Sequence, residues 1–150
     1  FEVIAPQSLL EDPMAGRGLL AGPEPDDAAM ADMARGAAVL RALAAQDVGQ
    51  AVVVQQGLVL GVETLEGTAD LLARAATLRR EGPGGVLVKL PKLGQEMRVD
   101  APAIGPRTVE GAVAAGLRGI AVGAGGTILA DGAHTLRAAA ESGIFVFGLE

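Results

Sequence analysis

The core of this chain has to be built almost without aromatic side chains. Three Phe are the only aromatic residues among 150, although hydrophobic residues make up 50% of the sequence. A chain of this length forms one domain of ordinary size and can bury a substantial core. Ala, Val, Leu and 22 Gly must therefore fill that core, and small residues of this kind favour close packing of helices on a sheet.

Short aliphatic runs alternate with helical patterns along most of the chain. The runs predict buried strands at 51–54, 58–62, 86–90, 119–122, 127–130 and 144–147. Apolar residues at three- and four-residue steps predict helices over 26–45, 67–80, 107–115 and 132–142. Because strands and helices alternate, we expect an α/β fold with a mixed sheet of about six to seven strands, covered by helices on both faces.

Two turns in this pattern predict antiparallel hairpins. Gln55, Gln56 and Gly57 separate two apolar runs, and 123–126 is a glycine-rich turn between two further strands. The helices should bury one apolar face each. The residues expected inward are Met30, Met33, Ala37, Leu40 and Ala44 in the first helix and Leu71, Leu72, Ala75 and Leu78 in the second.

The N-terminal part of the chain has a different composition from the rest. Residues 1–4 are apolar and predict a short strand, and 5–25 contain four Pro, which disfavour regular helix. We interpret 1–25 as a strand with a linker-like segment, and 26–150 as one α/β domain. Since Phe1 is neither an initiator Met nor the start of a signal peptide, we expect the chain to be part of a longer protein.

Composition excludes several classes of function. A net charge of -6 argues against a nucleic acid partner, because phosphate backbones are bound mainly through Lys and Arg. The chain has no Cys and one His, so thiol catalysis, disulfides and multi-histidine metal sites are excluded. We interpret His134 as structural or exposed. No apolar run approaches the roughly 20 residues that span a bilayer.

The richest polar segment is 89–108. It contains the chain's only two lysines, Lys89 and Lys92, at the end of a predicted buried strand, together with Arg98 and Arg107. Ligands of open α/β sheets bind beyond the carboxyl ends of the strands, and clustered cations suit a pyrophosphate. The alternative is that the lysines end a strand and face water, as charge runs usually do.

Two acidic residues are candidates for chemistry. Asp100 lies between Arg98 and Pro102, where a carboxylate can bind Mg²⁺, orient a water or act as a base. Its alternative role is to stabilise the loop. Glu63 closes an apolar strand and is the second candidate. With no Cys and one His, a cation would be held by oxygen ligands, so Mg²⁺, with Mn²⁺ as a substitute, is expected.

Taken in order, these polar segments resemble one known family. The residues that carry the resemblance are 47–54, 62–63 with 66–68, 87–89 with Pro91, Lys92 and Gln95, and 98–100 with Pro102, Ile104 and Gly105. They are similar to the C-terminal domain of the UDP-2,3-diacylglucosamine pyrophosphatases of the lipid A pathway, of the type that is not a metallophosphoesterase. The resemblance runs from about Asp47 to the C-terminus and more loosely over the residues before it.

The resemblance implies an Mg²⁺-dependent hydrolase that converts UDP-2,3-diacylglucosamine to UMP and 2,3-diacylglucosamine 1-phosphate. The family's essential aspartate corresponds to Asp100, which is expected to be catalytic and, with Glu63, to bind the metal. The residues expected to contact substrate are Lys89, Lys92, Gln95, Arg98 and Thr108. Ala101 and Ala103 depart from the Leu and Thr that are common in the family.

The same resemblance implies partners and a location. The substrate is a nucleotide-linked lipid, and a Rossmann-like N-terminal domain of the same protein, absent from this chain, is the expected partner. We expect a cytoplasmic protein of Gram-negative bacteria at the periphery of the inner membrane, and a homodimer is an assembly to consider. The alternative function is a non-catalytic ligand-binding or assembly domain that kept the fold.

Overall fold

A computed structural model describes residues 12–92 and 101–150 of the chain. The strands are β1 (Gly18–Ala21), β2 (Ala51–Gln55), β3 (Leu58–Val62), β4 (Val86–Lys89), β5 (Ala103–Ile104), β6 (Gly119–Gly123), β7 (Ile128–Leu129) and β8 (Phe145–Leu149). The helices are α1 (Asp27–Ala44), α2 (Thr68–Thr77), α3 (Pro106–Ala114) and α4 (Gly132–Ser142). Residues 1–4, Gln95, Arg98 and Asp100 lie outside the described residues.

Six of the strands form one mixed sheet in the order β1-β8-β6-β4-β2-β3. β4, β6 and β8 are parallel neighbours, whereas β2 runs antiparallel to both β3 and β4, and β1 runs antiparallel to β8. The predicted α/β fold with a mixed sheet and a β2–β3 hairpin is therefore confirmed. This topology brings the carboxyl ends of β3, β4, β6 and β8 to one edge, which we call the carboxyl edge.

Helices cover both faces of this sheet. On one face α1 packs through Ala29, Met33 and Leu40 against β-strand residues that include Val52 and Val88. On the other face α2, α3 and α4 pack on the alternate residues of the same strands, which include Ala51, Val53, Leu87, Ile120 and Val122. The alternation follows from the two-residue period of a strand. The same alternation determines which charged side chains at the strand ends lie on the same face of the sheet.

The helix bounds agree with the predictions, but parts of the buried faces do not. Asp26 caps α1, since its Oδ1 accepts a hydrogen bond from the Ala29 N–H at 2.8 Å. Met30 is exposed, because the buried stripe runs through neighbouring small residues that let α1 approach the sheet closely. Ala44 is only half-buried. Leu78 is 52% exposed because it lies just after the last residue of α2, where the chain turns outward.

A second small sheet corrects the predicted strand pairing. β7 pairs in parallel with β5, and it does not form a hairpin with β6. The reason is that β4 and β8 already occupy both sides of β6, so β6 has no free edge for β7. β5 itself lies in the polar segment 89–108, for which the sequence pattern predicts no strand after residue 90. β1 lies in the segment interpreted as linker-like, and that interpretation is wrong for Gly18–Ala21, which pairs with β8.

The helices of the described residues are also too short or too polar to cross a membrane. α1 is the longest of them at 18 residues, and it carries several charged side chains.

Candidate functional site

Three residues form a row across the carboxyl edge: Glu63, Ala51 and Lys89. Ala51 pairs directly with Lys89 between β2 and β4, and its carbonyl accepts the Glu63 N–H at 2.8 Å. Directly paired residues of antiparallel strands point to the same face of a sheet. Ala51 packs in the core under α2, α3 and α4. Glu63 and Lys89 therefore flank its methyl group on that face.

Lys89 is a partly buried cation at the carboxyl end of β4. Its Nζ donates a hydrogen bond to the Ala103 carbonyl oxygen at 3.0 Å, which ties β4 to β5. Burial lowers the pKa of Lys89, and the nearby Glu63 carboxylate partly opposes that effect. Because a charge away from water interacts more strongly with a counter-charge, this ammonium group is better suited to hold an anion than an exposed lysine is.

Glu63 is held on both sides by hydrogen bonds. Its Oε1 accepts the Gln50 N–H at 3.1 Å, and its Oε2 accepts the Thr68 hydroxyl at 2.8 Å. Gly49 packs against the Glu63 backbone so closely that a Cβ there would overlap the Glu63 carbonyl. The carboxylate thus joins the start of β2 to the first turn of α2. Thr68 was missed as a site candidate, although its position at a helix start five residues after Glu63 was visible.

The N-termini of α2 and α3 lie side by side next to this row. They border a concavity of about 150 Å³, and its lining comprises Thr68, Ala69, Leu72, Arg107, Thr108 and Gly111. Helix N-termini carry partial positive charge and unpaired N–H groups. α2 begins after Gly67, which has no side chain to cap those groups. The concavity is therefore suited to an anionic group.

Thr108, a predicted substrate contact, lines this concavity but also has a structural partner. Its hydroxyl accepts the Gly105 N–H at 3.2 Å, which caps the start of α3. A substrate contact by Thr108 remains a prediction. Arg107 precedes it and brings a cation to the same concavity.

Lys92 lies in a different setting from Lys89. Its Nζ forms an ion pair with Asp47 at 2.8 Å, and the Asp47 side chain is 79% exposed. Among the described residues, the pair connects the segment after β4 to the loop after α1. A role of Lys92 in binding substrate remains a prediction, as do those of Gln95 and Arg98, which lie outside the described residues.

The described residues alone do not fit a metal site. No group of three or more His, Asp or Glu side chains converges within 12–92 and 101–150. Both oxygens of Glu63 already accept hydrogen bonds, and Asp100 is outside the described residues. His134 lies on α4, with its Nδ1 3.2 Å from Asp131 Oδ2, and is 53% exposed, which confirms its interpretation as an exposed residue.

The fold and the polar edge define an α/β domain suited to an anionic ligand at the carboxyl ends of its strands. Residues 16–147 match the family described as the LpxI C-terminal domain, and the chain belongs to that family. It is 39% identical over 156 aligned residues to the UDP-2,3-diacylglucosamine pyrophosphatase LpxI of Caulobacter vibrioides. The alignment covers 100% of this chain and 56% of that protein, so the chain spans little more than half the length of its relative.

Proposed function

We propose that this chain is the C-terminal, catalytic-side domain of an enzyme that hydrolyses UDP-2,3-diacylglucosamine to UMP and 2,3-diacylglucosamine 1-phosphate in lipid A biosynthesis. Membership of the LpxI C-terminal domain family and the name of its Caulobacter relative support this activity. The structural observation that carries the proposal is Lys89, a partly buried ammonium group at the carboxyl edge whose Nζ lies 3.0 Å from the Ala103 carbonyl oxygen, shortly before α3 begins. The same findings do not favour a non-catalytic binding domain.

The proposed reaction adds one water across the pyrophosphate. The water oxygen bonds to one phosphorus, the bridging P–O bond breaks, and the two phosphate monoesters leave with the water protons shared between them and solvent. Lys89, Arg107 and the first turns of α2 and α3 would oppose the negative charge on the phosphates, which is how enzymes of this kind lower the barrier. We assign Asp100 to orienting or deprotonating the water, and Lys92, Gln95, Arg98 and Thr108 to substrate contacts.

We also propose that the whole enzyme uses Mg²⁺, with Mn²⁺ as a substitute. The support is the family resemblance and the chemistry of Asp100, since a carboxylate is the ligand these cations prefer. When bound, the ion would neutralise phosphate charge. Glu63, with both oxygens engaged, gives this part of the proposal no support.

The proposed partners follow from the substrate. A nucleotide carrying two acyl chains resides in a membrane, so we propose that the enzyme acts on the cytoplasmic side, at the periphery of the inner membrane. We propose that the N-terminal domain of the same protein completes the site. Flotation of the full-length protein with vesicles containing anionic phospholipid tests the location, and sedimentation velocity tests whether the protein is a homodimer.

The decisive experiment is release of UMP by the purified full-length protein. With UDP-2,3-diacylglucosamine and Mg²⁺ we expect UMP and 2,3-diacylglucosamine 1-phosphate to form in equal amounts. Mass spectrometry measures both products. Incubation with EDTA should abolish the release. Tight binding of the substrate without any UMP would contradict the hydrolase and favour a ligand-binding domain.

A further inference from the structure

We propose that Glu63 is a positioning residue, which holds the Lys89 ammonium group and the first turn of α2 toward the same anion, and that it is not a metal ligand. The inference rests on the proposed function only in taking that anion to be the substrate pyrophosphate. The sequence predicts that Glu63 binds Mg²⁺. The hydrogen bonds that both of its oxygens accept favour the positioning role instead.

The row across the carboxyl edge provides the geometry. Glu63 and Lys89 lie on the strands either side of β2, at backbones roughly 10 Å apart, which is twice the spacing of neighbouring strands. Both side chains stand on the face covered by α2, α3 and α4, and the residue between them is Ala51. Because Ala51 ends at Cβ, no longer side chain from β2 stands between the carboxylate and the ammonium group.

The hydrogen bonds of Glu63 fix the carboxylate in this position. One oxygen is bound to the backbone of Gln50 and the other to the hydroxyl of Thr68, which is the first residue of α2. A shift of α2 would therefore move Glu63, and a shift of Glu63 would change the field at Lys89. Glu63 thereby couples the N-terminus of α2 to the Lys89 cation.

A metal role requires a different arrangement. A divalent cation needs several oxygen ligands with free lone pairs, and it would repel the ammonium group of Lys89. Among the described residues no second and third carboxylate approaches Glu63. The negative charge of Glu63 therefore stabilises the protonated form of Lys89 and does not hold a metal ion.

The test begins with Glu63→Gln in the full-length enzyme. Glutamine retains the shape and can still accept from Gln50 and donate to Thr68, so the fold is kept while the charge is lost. We expect kcat/KM to fall about tenfold in the wild-type background and less than about twofold in a Lys89→Met background, because the two residues act as a unit. Glu66→Gln, in the same loop and paired with Arg74 away from the row, is the matched control and should stay within about twofold.

Two outcomes of these kinetics would overturn the proposal. An equal loss from Glu63→Gln in both backgrounds would show that Glu63 acts independently of Lys89. A rise of about tenfold in the Mg²⁺ concentration for half-maximal activity would show that it binds the metal.

A measurement without substrate separates this inference from the proposed function. The chain has two lysines, so ¹³Cε-lysine NMR of the 150-residue chain gives two resonances, assigned with Lys89→Arg. We expect Glu63→Gln to lower the pKa of Lys89, with the Lys92 resonance as the internal reference. An unchanged Lys89 titration overturns the positioning role, whereas absence of UMP release by the wild-type enzyme with a shifted titration overturns only the proposed function.

Discussion

Polar side chains are wholly or partly buried at both ends of the sheet, but their hydrogen-bond partners differ between the two ends. At the hairpin end Asp32 is buried, and its carboxylate accepts the N–H groups of Gln56 at 3.1 Å and Gly57 at 2.8 Å. Gln55, also buried, donates from its amide nitrogen to the carbonyls of Arg80 and Pro83 and accepts the Arg80 N–H. Backbone groups satisfy these side chains completely.

At the carboxyl edge Lys89 differs, because the described residues use only part of its hydrogen-bond donor capacity. Lys89 has three N–H donors, and among the described residues it donates to one acceptor, the Ala103 carbonyl. The N-termini of α2 and α3, at the same end of the molecule as Glu63, border one concavity. Buried polar groups normally have hydrogen-bond partners. The contrast therefore indicates that the hairpin end is structural and that the carboxyl edge is the end suited to binding a ligand.

The largest expected effect is a loss of turnover without a loss of folding. In the full-length enzyme Asp100→Asn should reduce turnover by about 100-fold or more, because it removes the carboxylate proposed to activate water. The thermal midpoint should change little. Near wild-type turnover in this variant would remove Asp100 from the mechanism and favour its role in stabilising the loop.

The second prediction compares the two lysines. Lys89→Ala should lower kcat/KM by about 10- to 100-fold, because it removes a partly buried charge from the anion site. Lys92→Ala should lower kcat/KM less, because the Lys92 ammonium group also pairs with the exposed Asp47. Steady-state kinetics of both variants measure the difference, and equal losses would show that Lys92 contributes as much as Lys89 to binding the pyrophosphate.

The third prediction targets the hairpin end. Asp32→Ala should lower the free energy of unfolding by about 2 kcal/mol, since the N–H groups of Gln56 and Gly57 lose the buried carboxylate that accepts their hydrogen bonds. Urea denaturation measures the change, with the exposed Asp27→Ala as the control. Well below the unfolding temperature kcat/KM should be unchanged. A loss of activity in the folded variant would contradict a purely structural hairpin end.

The smallest effect concerns Glu66, a half-buried residue of the loop before α2. The hydrogen bonds from Arg74 and Thr64 lower the pKa of Glu66 to about 2 from 4.5. A lowered pKa gives stability that is complete above the ordinary value and is lost as the pH falls through 4.5 toward 2. Thermal midpoints of wild type and Glu66→Gln should therefore differ most above pH 5 and converge toward pH 2. The difference should be small because the ion-pair partner, Arg74, is exposed to solvent.

The positions of helices and strands could be predicted because they depend on neighbouring residues. The alternation of apolar residues and the Asp26 cap of α1 are local signals, and the described elements follow them closely. Strand pairing could not be predicted in the same way. β7 pairs with β5 because β6 already has two partners, and that depends on where distant parts of the chain lie.

The sequence by itself determined the α/β class, the family, and the segment in which charged residues gather. The tertiary structure decided which of those residues meet. Glu63, Ala51 and Lys89 are separated along the chain by a hairpin, a helix and a strand, and only the order of β3, β2 and β4 brings them into one row. Burial lowers the pKa of Lys89, whereas Lys92 forms an ion pair with the exposed Asp47. These properties belong to the packed end of the sheet and are absent from a list of residues.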